Sequence, residues 1–298
     1  MKIARFNIDG KSKIAVKSSH IWYDYDVILR TRGYAYERDD NRPDTIITRM
    51  IEAGKLHQNF VMEQLQWASF DADKYHLDLD NVIPLLPMRP GKIIGVARNW
   101  KNHAKEQGKD MPDSPIFFTK SSNCAIGPED KITFPKDIGR VDHEGELGVV
   151  IGKAAKGVKA SDADQFIHSY TITNDITARD LQRELQAKGY PWTAAKSCDS
   201  FAPIGPCLSL PGRMLPLDKQ KIEVRVNKEI RQHGTLSEMN WKVPELIEVI
   251  SKHITLDPGD IIACGTPSGI GPIMPGDEVS VQVSGIGTLV NKVGEFVD

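Results

Sequence analysis

Residues 141–152, VDHEGELGVVIG, decide the reading of this chain. From Glu144 onward the stretch reads as a β-strand: Leu147, Val149, Val150 and Ile151 are apolar and mostly β-branched, and Gly152 ends the run. Side chains at i and i+2 of a strand share a face, so Glu144 and Glu146 stand side by side, with Gly145 between them on the other face. Two carboxylates that close repel each other unless a cation or a shared proton neutralises them. An isolated E-G-E is usually a solvated edge strand. The apolar run directly behind this one argues instead for the mouth of a buried strand, where the acids need a partner.

Working downstream, residues 160–168 read as a helix with Ser161 as its N-cap. Residues 170–174 read as a strand that delivers Asp175 at its C-terminal end. The β–helix–β spacing lets this strand lie beside the first and bring a third acid to the pair. Three carboxylates with no Cys or His among them suit a hard divalent cation, Mg²⁺ or Mn²⁺ with Ca²⁺ a further option, over zinc. The helical segment TARDLQRELQAKG then puts Arg179 and Gln182 at i and i+3; its plain alternative is a solvated polar face. WTAAKSCDS places Lys196 among small and apolar residues, as a functional cation or a structural ion-pair lysine. Cys198 beside it has no evident base and reads as a small buried residue.

Upstream, residues 92–97 have the apolar run of a buried strand, followed by N-H-A-K-E, where His103 and Glu106 share one face of a helical turn. There the carboxylate can orient and polarise the imidazole. The next stretch, GKDMPDSP, is a loop, and a base on a loop-flanked segment beside a cleft is the makeup of a lid. PIFFTKSS is a strand with Lys120 near its end. His143 faces away from Glu144 and reads as structural. Further on come a hairpin around Asn227-Lys228, an amphipathic helix over Val243–His253, and a buried strand over 260–264. Next is the turn GTPSG, which lacks the G-K-[ST] ending of a phosphate-binding loop. Two closing strands follow over Glu278–Val283 and 287–293.

The N-terminal part, residues 1–86, reads as a small α+β unit. A hairpin turns at Asp9-Gly10, a helical pattern opens at Pro43-Asp44, and a second helix runs to Trp67. His57 and His76 read as surface residues. Pro84, Pro87, Pro90 and Gly91 punctuate the chain and set the boundary with a larger unit over 91–298. The 298 residues carry 38 Lys+Arg against 40 Asp+Glu, a net charge of −2 that gives no basic footprint for nucleic acid or a membrane surface. No apolar stretch is long enough to span a bilayer, and MKIARFNIDGKSK has no signal-peptide core. The four cysteines show neither zinc-like spacing nor C-x-x-C pairs, so reduced thiols and a cytoplasmic protein are expected.

Six ordered stretches, RNWKNHAKE, FTKSS, HEGELGVVIG, NDITARDLQ, PWTAAKS and CGTPSGIGP followed by PGDEV, resemble the fumarylacetoacetate hydrolase family. The short QAKGYPWTAAKS segment is most similar to its acylpyruvase and oxaloacetate decarboxylase branch. Trp100 departs from the Tyr that many members carry after the Asn. The resemblance implies a mixed β-roll of packed sheets with peripheral helices. It implies Glu144, Glu146 and Asp175 as metal ligands, and His103 and Glu106 as a catalytic dyad. Lys196 becomes the cation beside a developing enolate, with Arg179, Gln182 and Thr266 gripping the carboxylate of a small 2-oxo acid substrate; Lys120 reads either as a further substrate contact in the pocket or as a structural residue. It further implies a homodimer that cleaves a C–C bond through a metal-stabilised pyruvate enolate, by acylpyruvate hydrolysis or oxaloacetate decarboxylation. Other branches isomerise or decarboxylate dienedioates or dehydrate sugar acids, and a pocket with extra cations favours such dicarboxylates. A metal-loaded interaction module without chemistry is the non-enzyme alternative. An intact His103, Glu106 and Lys196 argues against it.

Overall fold

The computed structural model describes residues 1–34, 43–79 and 82–297. At its centre lies the strand Gly145–Ile151, buried at every position. A strand covered on both faces needs a continuous apolar run rather than an alternating one, which is why ELGVVI reads as it does. It pairs antiparallel with Ile167–Asn174, placing Gly145 opposite Asn174, and on its other side with Ile261–Ala263. Beyond Ile261–Ala263 come Ile93–Ala97, in parallel, and then Ile116–Lys120.

On the opposite flank Ala202–Ser209 pairs with Ile167–Asn174 and, through Ile3 and Leu208, with the N-terminal strand Lys2–Ile8. Lys2–Ile8 continues the sheet into Lys11–Ser18, Ile21–Asp24 and His76–Leu77, so one twelve-stranded sheet runs from the N-terminal segment through the centre. Within the proline-rich stretch, Ile83–Leu85 is itself a strand, antiparallel to Lys2–Ile8, and Leu86 and Met88 are buried behind it.

A second antiparallel sheet, ordered Glu229–Thr235, Lys221–Val226, Glu278–Val283, Gly287–Lys292, packs its apolar face on the first. Lys221–Val226 alternates exposed and buried positions, as a one-sided strand does. The contact explains Gly145. A Cβ there would lie 2.4 Å from Val224 Cγ2 and 2.8 Å from Val281 Cγ1, so only glycine lets the acid-bearing strand meet the second sheet. A short third sheet joins Thr177–Ala178, Val141–His143 and Gly271–Pro272. The whole is the expected α+β arrangement of packed sheets with peripheral helices; among the described residues no helix is long and apolar enough to cross a membrane.

One expected helix is absent. Residues 160–166 form a 3₁₀ segment, and Ile167 and His168 already belong to the next strand. Ser161 does not cap it: the Ala160 N–H goes to Glu248 Oε2 at 2.9 Å and the Val158 N–H to Ser251 Oγ at 3.0 Å, both from the helix Val243–His253. The seam between the N-terminal helices and the centre is closed by His168, whose Nε2 donates to Leu56 C=O at 3.1 Å while Nδ1 accepts from Ser169 Oγ at 3.0 Å. Burial pushes that imidazole down to about 4.

Candidate active site

The three acids reach one point by different backbone routes. Glu144 sits in the break between Val141–His143 and Gly145–Ile151; its N–H is held by Asn174 Oδ1 at 3.0 Å, and its C=O accepts from Asp175 N–H at 2.8 Å. Glu146 is the second residue of the buried strand, and Asp175 follows directly on Ile167–Asn174. All three are buried, and one carboxylate oxygen from each lies within 4.8 Å of the others. The reading of three neighbouring carboxylates from the two strands therefore matches the geometry.

Two lysines and an arginine surround them. Lys196, on the short helix Thr193–Lys196, donates from Nζ to Asp175 Oδ2 at 2.5 Å, Glu144 Oε2 at 2.9 Å and Thr177 Oγ1 at 2.7 Å, with the Phe118 ring 4.9 Å away. Lys120 donates to Asp175 Oδ1 at 2.6 Å and to Ile176 C=O at 3.2 Å. Arg179 opens the helix Arg179–Ala187 and bonds three ways, to Asp142 Oδ2 at 2.8 Å, Gln182 Oε1 at 2.6 Å and Glu144 Oε1.

The charge is unevenly shared. Burial alone would raise the Glu144 carboxyl, but Lys196 and Arg179 outweigh it and hold it far below the usual carboxylate range. Burial would likewise lower Lys196, yet Asp175 and Glu144 keep its ammonium charged and raise it. Glu146 is the exception. It accepts one hydrogen bond, from Gly265 N–H at 2.8 Å, and among the described residues no side-chain cation pairs with it. Burial first, then Asp175 and Glu144, push it well above the normal range. A buried all-oxygen donor set whose third member lacks a counter-charge fits a hard divalent cation.

Across the cleft stands the helix Lys101–Glu106. His103 is buried, with Nδ1 3.2 Å from Glu106 Oε2 and Nε2 3.1 Å from the Gln107 amide nitrogen. A carboxylate only accepts and an amide NH₂ only donates, so these partners assign the proton to Nδ1 and leave Nε2 as the basic atom. Glu106 is fixed in turn by the Gly269 N–H at 2.9 Å. Burial would raise its carboxyl, but the bonds from His103 and Gly269 win and keep it ionised below the usual range. The i, i+3 pairing read from the sequence is thus formed.

His103, the three acids, Arg179, Gln182, Lys196 and Thr266 all line a single cleft of about 250 Å³, together with Arg98, Lys109, Phe118 and Trp192. Lys120 does not line it; it braces Asp175 from behind, which departs from its reading as a substrate contact. Thr266 donates its hydroxyl proton to Gly145 C=O at 2.7 Å and accepts from Gln232 Nε2 at 2.7 Å, so its oxygen offers the cleft a lone pair rather than a proton. Trp100 is buried away from the cleft, with its indole N–H on Gly265 C=O at 2.9 Å. His143 Nδ1 bonds Gln232 Oε1 at 3.0 Å, in keeping with a structural role, and burial lowers its imidazole. Cys198 is half-buried and its thiol is pushed up by that burial.

Several contributors escaped the sequence reading. Asp142, fully buried, binds Arg140 at 2.6 Å and Arg179 at 2.8 Å; its place two residues before Glu144 was the only signal. Gln107 adjoins the dyad in sequence and Thr177 lies two residues after Asp175. Gln232, in the hairpin strand Glu229–Thr235, carried no signal at all.

The fumarylacetoacetate (FAA) hydrolase C-terminal family model matches residues 92–294. The chain belongs to this family. Oxaloacetate tautomerase YisK of Bacillus subtilis is 37% identical over 269 residues, covering 84% of this chain and 88% of that protein. Among solved structures, a 5-carboxymethyl-2-hydroxymuconate delta-isomerase from Mycobacterium smegmatis superposes with a TM-score of 0.75 at 30% identity over 100% of both chains. A fumarylpyruvate hydrolase from Pseudomonas aeruginosa, in complex with Mn²⁺ and pyruvate, gives a TM-score of 0.66 at 29% identity, covering 72% of this chain and 92% of that one. Family members bind divalent metals, and their activities span tautomerases, isomerases and hydrolases.

Proposed function

We propose that the chain interconverts the enol and keto forms of oxaloacetate-type 2-oxo acids, with a divalent cation, Mg²⁺ or Mn²⁺, on Glu144, Glu146 and Asp175. The observation that carries this reading is the His103–Glu106 pair, Nδ1 to Oε2 at 3.2 Å, with His103 lining the same cleft as the acids. A bound cation supplies Lewis-acid stabilisation of the negative charge that develops on substrate oxygen. The chain's own groups do the rest. His103 Nε2 takes the enol proton and returns one to the adjacent carbon, the two ends of a tautomerisation that needs no attacking water. Glu106 holds the imidazole in the tautomer that makes Nε2 basic and stabilises it once both nitrogens carry protons. Lys196, pinned by two carboxylates, presents a fixed positive charge to the enolate without moving during the reaction. Arg179 and Gln182 orient the substrate carboxylate, and burial of the floor excludes water.

The relation to an oxaloacetate tautomerase over most of both chains supports this endpoint. Cleavage is the second reading, by acylpyruvate hydrolysis or oxaloacetate decarboxylation; the Mn²⁺- and pyruvate-bound hydrolase relative favours it, since Nε2 can equally activate a water toward a distal carbonyl. The test is enol-to-keto conversion of oxaloacetate and pyruvate release from oxaloacetate and acetylpyruvate, with Mg²⁺, with Mn²⁺ and after EDTA. Fast metal-dependent conversion with slow pyruvate release supports tautomerisation; fast pyruvate release from either acid supports cleavage; no turnover of any overturns both. The homodimer belongs to the same reading, and the mass in solution decides it.

A further inference from the structure

With no side-chain cation beside it, Glu146 is held by backbone. Its Oε2 accepts the Gly265 N–H at 2.8 Å, and its carboxylate makes no other hydrogen bond among the described residues. That N–H belongs to the peptide joining Cys264 and Gly265. The carbonyl of the same peptide, Cys264 C=O, accepts from Asn99 Nδ2 at 2.8 Å. Asn99 is fully buried, and Trp241 fixes which way its amide faces: Oδ1 accepts the Trp241 N–H at 2.8 Å while Nδ2 also donates to Trp241 C=O at 3.0 Å. The next carbonyl, Gly265 C=O, accepts from Trp100 Nε1 at 2.9 Å. Two side chains that do not line the cleft thus grip the carbonyls on either side of the N–H that Glu146 receives.

The turn needs this hold. Gly265 stands at φ +88°, and glycine takes positive and negative φ about equally, so torsion alone does not stop the Cys264–Gly265 peptide from turning over. A turned peptide would aim a carbonyl oxygen at the carboxylate. A stiffer residue is barred, because a Cβ at 265 would lie 2.9 Å from Asn99 Cβ and 3.0 Å from the Val96 carbonyl oxygen. We propose that Asn99 is the positioning residue for Glu146. It holds the Cys264–Gly265 peptide so that the N–H stays on Oε2 and the other carboxylate oxygen is left for a cation, with Trp100 as the second clamp. The inference rests on the reading of the three acids as metal ligands. It adds to them two residues from the segment that leads into the helix Lys101–Glu106.

Mn²⁺ affinity, measured by calorimetry, tests the proposal without requiring turnover. Asn99→Asp keeps the size of the side chain and the acceptor for the Trp241 N–H, but it replaces the donor to Cys264 C=O by an acceptor and so favours the turned peptide. It is expected to weaken Mn²⁺ binding about tenfold or more. Trp100→Phe keeps an aromatic ring and loses the indole N–H, with an expected loss of about threefold. Val61→Ala opens a cavity in the helix Gln58–Ala68, away from the cleft; it should lower the melting temperature and leave Mn²⁺ affinity within about twofold of wild type. Wild-type affinity in Asn99→Asp or in Trp100→Phe, or an equal loss in Val61→Ala, overturns the positioning role and leaves the metal reading standing. If Asn99→Asp does not fold, Trp100→Phe against Val61→Ala decides. A wild type that binds no Mn²⁺ brings down the metal reading itself, and the role of Asn99 with it.

Discussion

The floor and the roof of the cleft are built on opposite principles. On the floor, Glu144, Asp175, Lys196, Lys120 and Arg179 are all buried and interlocked, so each charge is held by at least one other. On the roof, His103 bonds Glu106, a third-exposed carboxylate, and the Gln107 amide, and Glu106 is itself held by backbone N–H groups of Gly269 and Ile270. Removing a partner from a buried network strands a charge that water cannot reach; removing one from the roof exposes groups that water can solvate. Floor residues should thus carry stability and activity together, and roof residues activity alone.

The largest effect is expected at the uncompensated acid. Glu146→Gln should lower turnover by about 10³-fold and weaken Mn²⁺ binding, read by activity and calorimetry, since it removes the proposed ligand that has no side-chain cation paired with it. Full turnover in this variant would mean that the cation, or the site, lies elsewhere.

Lys196→Met leaves Glu144 and Asp175 short of a counter-charge. Its unfolding free energy in the metal-free protein should fall by about 3–5 kcal/mol, with activity reduced about 10²–10³-fold. His103→Ala should lose about 10²–10⁴-fold in kcat while its melting temperature stays within about 2 °C of wild type. A His103→Ala protein as unstable as Lys196→Met would erase the distinction between floor and roof. Glu106→Gln, which keeps the roof but frees the imidazole orientation, should cost less, up to about 10²-fold.

The smallest effect lies at the seam and sharpens the contrast by pH. His168 is buried and neutral, with its imidazole lowered from 6.5 to about 4. Between those values the unfolded chain binds the extra proton, so stability is full above 6.5 and declines as pH falls toward 4. From pH 7.5 to 5 the wild type should lose about 2 kcal/mol more than His168→Gln in urea unfolding. Parallel pH profiles for the two proteins would contradict the assignment.

The floor was legible because it obeys short-range rules. Glu144 and Glu146 share a strand mouth, Asp175 ends the neighbouring strand, and H-x-x-E fixes the roof pair within one helical turn. Gly145 was legible as a spacer but not as the point where the second sheet presses in, since Val224 and Val281 come from distant strands. The expected helix over 160–168 is instead a 3₁₀ segment, and its last two residues belong to the strand Ile167–Asn174, where Ile167 pairs with Ile151, a contact that local sequence does not show. Lys120 stayed open between pocket and structure because nothing in FTKSS tells which side of Asp175 the ammonium approaches. Gln232 was invisible for a related reason: only the tertiary fold brings its amide to Thr266.

The most direct test of the central claim is the enol-to-keto rate of oxaloacetate for metal-loaded and EDTA-treated wild type beside metal-loaded His103→Ala. A fast rate only in the loaded wild type, restored by Mn²⁺ after EDTA, is what a cation on the floor working with a base on the roof requires. An unchanged rate after EDTA, or in His103→Ala, would contradict it.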